Sequence, residues 1–115
     1  MQFLPLPALL ALTLASALLC LAPPCAAESM HFEIVAQEGL LQPAQLQVPA
    51  GVKLRLTLRN AGKTPVEFES LALHLEKMVM PDSAATVTVQ PLSAGSYSVG
   101  DEFHPDNGTV SLLAR

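Results

Sequence analysis

Beyond residue 27 the chain has no cysteine, because Cys20 and Cys25 both fall in the first 27 residues. A chain cut after that point has neither a disulfide framework nor a thiolate to offer a metal. Basic charge is scarce as well: six Lys and Arg stand against ten Asp and Glu, a net charge of -4. Nucleic acid and anionic membrane surfaces are poor partners for such a chain. Catalytic signatures are missing too, with no nucleophile elbow, no phosphate-cradling glycine loop and no His-Glu-x-x-His pattern.

The first 27 residues carry no charged side chain at all. "LPALLALTLASALLCLA" is a hydrophobic core, and "CAAES" supplies small residues before Glu28, where a secretion peptidase would cut. The expectation is a signal peptide over residues 1–27, although "MQFLPLP" lacks the usual basic residue. A membrane helix is disfavoured by Pro5, Pro7, Pro23 and Pro24, and no basic stop-transfer cluster follows. Lipid anchoring is disfavoured because Leu19 and Pro24, neither of them small, precede the two cysteines. Residues 28–115 then form one domain with one small core.

Within that domain the hydrophobic period is two, in "HFEIVAQ", "LQVPAGVKLRLTLRN", "ATVTVQPL", "GSYSVGD" and "GTVSLLAR". Val52, Leu54, Leu56 and Leu58 face one way, and Lys53, Arg55, Thr57 and Arg59 the other. Turn residues separate the runs, among them Asn60-Ala61-Gly62, Pro81-Asp82-Ser83 and Asp106-Asn107-Gly108. "VEFESLALHLEKMVM" has helical spacing at Leu71, Leu75 and Met78, but its local alternation favours strand with an irregular join. Six to eight short strands form a small two-sheet sandwich.

Polar chemistry gathers in "YSVGDEFHPDNG", where Asp101, Glu102 and His104 fall within four positions, and in "VEFES", where Glu67 and Glu69 flank Phe68. The bland reading makes the first a polar turn and the second a solvated strand edge. Met78 and Met80 offer thioethers, although such methionines more often fill cores or interfaces. His31 and His74 read as edge or surface residues.

"VPAGVKLRLTLRN", "TPVEFES" with "LEKMVMPDS", and "PLSAGSYSVGDEFHPDNGTVSLLA" together resemble the cupredoxins, and among them the EfeO-type cupredoxin-like domains of bacterial iron uptake. The resemblance implies a Greek-key β-sandwich. It sets Asp101 at the family's Cys position, His104 at its His position and Glu67 near the earlier His, with the axial Met position near Thr109. A blue copper centre is thereby excluded. The implied alternative is a site of Glu67, Asp101 and His104, with Glu69 and Glu102 in support and Glu76 nearby, holding iron or copper through hard ligands. The resemblance further implies a periplasmic protein partnered by an inner-membrane iron permease and other uptake components, assisting ferrous-iron transport or oxidation. The competing classes are a metal-free docking module and a copper carrier using Met78, Met80 and a histidine.

Overall fold

In the computed structural model, which describes residues 2–5, 19 and 29–115, the period-two runs become nine strands. These are β1 (Met30–Gln37), β2 (Leu40–Gln42), β3 (Gln45–Val48), β4 (Leu54–Asn60), β5 (Val66–Ser70), β6 (Leu75–Val79), β7 (Ser83–Val89), β8 (Gly95–Asp101) and β9 (Thr109–Ala114). Among the described residues, one 3-10 turn, Pro105–Asn107, interrupts the last connection. Most of the expected leader lies outside the described residues. The count exceeds the expected six to eight because β2 and β3, of three and four residues, are too short to show a pattern of their own.

Two sheets stack face to face, one in the order β2-β1-β4-β7 and the other β3-β9-β8-β5-β6. The chain changes sheet at β2–β3, β3–β4, β4–β5, β6–β7 and β7–β8, which wraps it as a Greek key and makes β1–β4 and β3–β9 parallel pairs. Alternation explains which faces meet. In β4, Leu54, Leu56, Leu58 and Asn60 are buried while Arg55 and Arg59 are exposed. Ile34, Leu56 and Leu58 from one sheet pack with Phe68, Val99, Val110 and Leu112 from the other. Each such buried side chain is worth about 1.5–3 kcal/mol. Val52, expected to share the inward face of β4, instead lies before the strand and is 37% exposed.

The segment with competing helix and strand patterns is a hairpin. β5 and β6 pair antiparallel, and residues 71–74 turn between them. Ser70 Oγ accepts from the Leu73 amide, and His74 adopts φ +52° to close the turn. Leu71, which a helix would have buried, is 85% exposed. On its other side β5 pairs with β8, Phe68 opposite Asp101 and Glu69 opposite Gly100. That pairing places the two candidate segments side by side.

Candidate functional site

Asp101 is the last residue of β8 and points inward, 3% exposed. Its Oδ1 accepts from the amides of Phe103 at 3.0 Å and Glu67 at 3.2 Å. Its Oδ2 accepts from His104 Nδ1 at 2.7 Å. An ionised carboxylate has no proton to give, so the imidazole donates from Nδ1. Thr64 Oγ1 lies 3.5 Å from Nε2. The structure therefore brings Asp101 and His104 together.

It does not bring Glu67 to them. Side chains alternate along a strand, so Val66, Phe68 and Ser70 of β5 are buried while Glu67 and Glu69 lie on the outer face of the sheet. The β5 residue that shares a cavity with Asp101 and His104 is Val66. Glu67, which the resemblance sets near the family's earlier His, is thus one position away from the cavity residue, and one position in a strand is a change of face. Nothing in an apolar Val within an apolar-polar run marks it as a cavity residue.

Glu67 finds different company. Its carboxylate lies within 4.8 Å of those of Glu76 on β6 and Glu102 just after β8. Register explains this: Glu69 sits opposite Glu76, Glu67 opposite Met78, and the Glu102 amide donates to the Glu67 carbonyl at 2.8 Å. Among the described residues none of Glu67, Glu69, Glu76 and Glu102 is ion-paired with a basic side chain. Crowding of like charge shows in the acidities. The Glu67 carboxyl is raised from 4.5 to about 7, first by hydrogen bonding with Glu76, then by desolvation and by the charge of Glu102. Glu69 is also raised, chiefly by Glu102. Met78 and Met80, 57% and 53% exposed, are not core filler. Met78 shares the outer face with Glu67, whereas His31 and His74 are exposed and away from the cavity lining.

The cavity beside His104, about 390 Å³, opens between the β1–β2 turn, the 60–64 loop and the segment after β8. Asn60 shapes it. Fully buried at the end of β4, it donates from Nδ2 to the carbonyls of Thr64 (2.8 Å) and Val79 (2.9 Å) and accepts the Gly62 amide on Oδ1 (3.0 Å). Its sequence signal is an Asn at a position where β4 alternation calls for an apolar residue.

The sequence pattern of the cupredoxin-like domain matches residues 9–111. The chain belongs to the cupredoxin-like domain family. One relative, the uncharacterized protein RP394 of Rickettsia prowazekii (strain Madrid E), is 36% identical over 86 residues, covering 75% of this chain and 69% of its own. Reduced auracyanin from Roseiflexus castenholzii superposes with a TM-score of 0.66 at 14% identity, over 76% of this chain and 98% of that one. Auracyanin A, a "blue" copper protein from Chloroflexus aurantiacus, gives 0.64 at 14% over 76% and 100%. A purple cupredoxin from Nitrosopumilus maritimus gives 0.57 at 15% over 72% and 98%. At such identities the shared property is the fold, one that serves metal-binding and electron-transfer proteins.

Blue copper does not fit this cupredoxin-like chain at its cavity end. Asp101, which the resemblance sets at the family's Cys position, has its two oxygens engaged by three donors, and the β5 side chain lining the same cavity is the hydrocarbon of Val66. A trigonal His-Cys-His set has one member left, His104.

Proposed function

We propose that this cupredoxin-like protein binds a hard metal cation on the outer face of its β5–β6–β8 sheet, through Glu67, Glu76 and Glu102, with Glu69 in support. The observation that carries the reading is the convergence of three carboxylate oxygens within 4.8 Å, without a basic partner among the described residues. The Glu67 carboxyl is raised first by its hydrogen bond with Glu76, then by desolvation and by the charge of Glu102; a cation would replace the shared proton and offset that charge, and oxygen-only ligands favour Mn(II), Fe(II) or Fe(III) over Cu(I). The ion is cargo. The EfeO-type resemblance of "TPVEFES" and "VGDEFHPDNG" supports iron as that cargo. It also supports a periplasmic setting, reached through the leader in residues 1–27, and delivery to a membrane iron permease.

Calorimetric titration of residues 28–115 with Mn(II), with Fe(II) under anaerobic conditions, and with Cu(I) tests the proposal. One equivalent of Mn(II) or Fe(II), lost in Glu67→Gln and in Glu102→Gln, is expected. Absence of binding by either ion favours the metal-free docking module. Selective Cu(I) binding that disappears in Met78→Ala favours the copper carrier.

A further inference from the structure

Asp101 and Glu102 are neighbours in sequence, yet one points into the sandwich and the other out, and both hold the same residue. Asp101 Oδ1 accepts the Glu67 amide at 3.2 Å, and the Glu102 amide donates to the Glu67 carbonyl at 2.8 Å. Glu67 is therefore gripped at both backbone groups by the end of β8. The grip is in turn braced: the His104 amide donates to the Asp101 carbonyl at 3.2 Å, and the His104 ring fixes Oδ2 at 2.7 Å. For Asp101 and His104 to ligate an ion together, Nδ1 would have to lose its carboxylate, and that carboxylate, with its side chain 1% exposed, would have to turn away from one or more of its donors; the ring's other nitrogen, Nε2, lies beside Thr64 on the cavity side, across the sheet from the outer-face carboxylates.

We infer that Asp101 and His104 are positioning residues and not metal ligands: the pair closes the end of the sandwich by hydrogen bonds and sets Glu67 and Glu102 at the spacing the outer-face cluster needs. The inference rests on the proposed outer-face site for its metal readout, and on the hydrogen bonds of the metal-free protein for its other readout. Asparagine separates the two roles at position 101. Its Oδ1 still accepts both amides and its Nδ2 donates to the other tautomer of His104, so Asn preserves the bracket but is a poor substitute for an anionic ligand.

The test compares Asp101→Asn, Asp101→Ala and His104→Ala in residues 28–115. In metal-free protein, NMR amide exchange at Glu67 and Phe103 is expected to be slow in wild type and Asp101→Asn and markedly faster in Asp101→Ala. With Mn(II), affinity is expected to fall roughly tenfold or more in Asp101→Ala, in the range of lost outer partners of metal ligands, and to stay within a few-fold of wild type in Asp101→Asn. With Cu(II) as probe, EPR is expected to show no nitrogen coupling that depends on His104. Equal loss of Mn(II) affinity in folded Asp101→Asn and Asp101→Ala overturns the inference, as does nitrogen coupling that vanishes in His104→Ala. If wild type binds no metal, the outer-face reading fails by itself. The bracket then stands or falls on the amides, and unchanged exchange at Glu67 in Asp101→Ala removes it. Should Asp101→Ala fail to fold, His104→Ala, which loses the Oδ2 bond and the 3.5 Å contact with Thr64, carries the exchange measurement: faster exchange at Glu67 supports the bracing, and unchanged exchange removes it.

Discussion

Asn60 and Glu67 show how much single residues decide in a domain of this size. Asn60 satisfies two carbonyls and one amide that approach it from the 60–64 loop and the end of β6, so a truncated side chain leaves buried backbone groups without partners. Asn60→Ala is expected to lower stability by about 3 kcal/mol, read as a reduced urea midpoint with an unchanged slope. Glu67 governs pH response. Its carboxyl is raised to about 7, so below that pH a proton occupies the oxygen a cation must take. Mn(II) affinity is expected to fall roughly tenfold per pH unit below 7, where an ordinary carboxylate would hold its affinity to far lower pH. A flat affinity between pH 7 and pH 5.5 would remove Glu67 from the ligand set.

At the scale of the element, β5 sorts its residues by parity. Val66 faces the cavity with Asp101 and His104, and Glu67 faces the opposite side of the sheet. A copper centre rebuilt at the cavity end therefore needs Val66→His with Asp101→Cys, giving a His-Cys-His set with the native His104. That double variant is expected to show an intense visible thiolate band with Cu(II). Glu67→His with Asp101→Cys is expected to remain pale, because its new imidazole lies across the sheet. A blue Glu67→His variant beside a pale but folded Val66→His variant would reverse the register of β5. The hairpin turn Leu71–His74 completes the same logic by folding β6 back so that Glu76 meets Glu67 and Glu69.

For the whole molecule, ligand binding and folding are one balance. Because the Glu67 carboxyl is raised on folding, the native state binds more protons than the unfolded chain between about 4.5 and 7. This group's contribution to stability is therefore full below the unfolded value and declines as pH rises through about 7. A bound cation counters that decline. Thermal melts at pH 8 are expected to rise with Mn(II), by the equivalent of about 2.7 kcal/mol at a concentration one hundred times Kd. Glu67→Gln is expected to cancel the Mn(II) shift and to reduce the apo pH slope, leaving the part that the raised Glu69 carboxyl contributes. An identical Mn(II) shift in that variant would place the ion elsewhere.

The local pattern was enough for the all-β sandwich: alternation in "LRLTLRN" names the buried Leu54, Leu56 and Leu58, and Phe68 is inward because Glu67 and Glu69 are not. It also marked most of the polar actors, Glu67, Glu69, Asp101, Glu102 and His104, because acidic residues and a histidine crowd two short segments. Which of them meet was decided only by tertiary structure. The facing of Asp101 and Glu102 in opposite directions depends on where β8 ends, and the meeting of Glu67 with Glu76 depends on a turn whose closure uses Ser70 and a left-handed His74. Val66 and Asn60 reach the cavity through the pairing of β5 with β8 and the bonds of the 60–64 loop. Strand periodicity is a property of each segment alone, whereas cross-strand register is a property of pairs far apart in the chain, so the first is written locally and the second appears only when the sheets assemble.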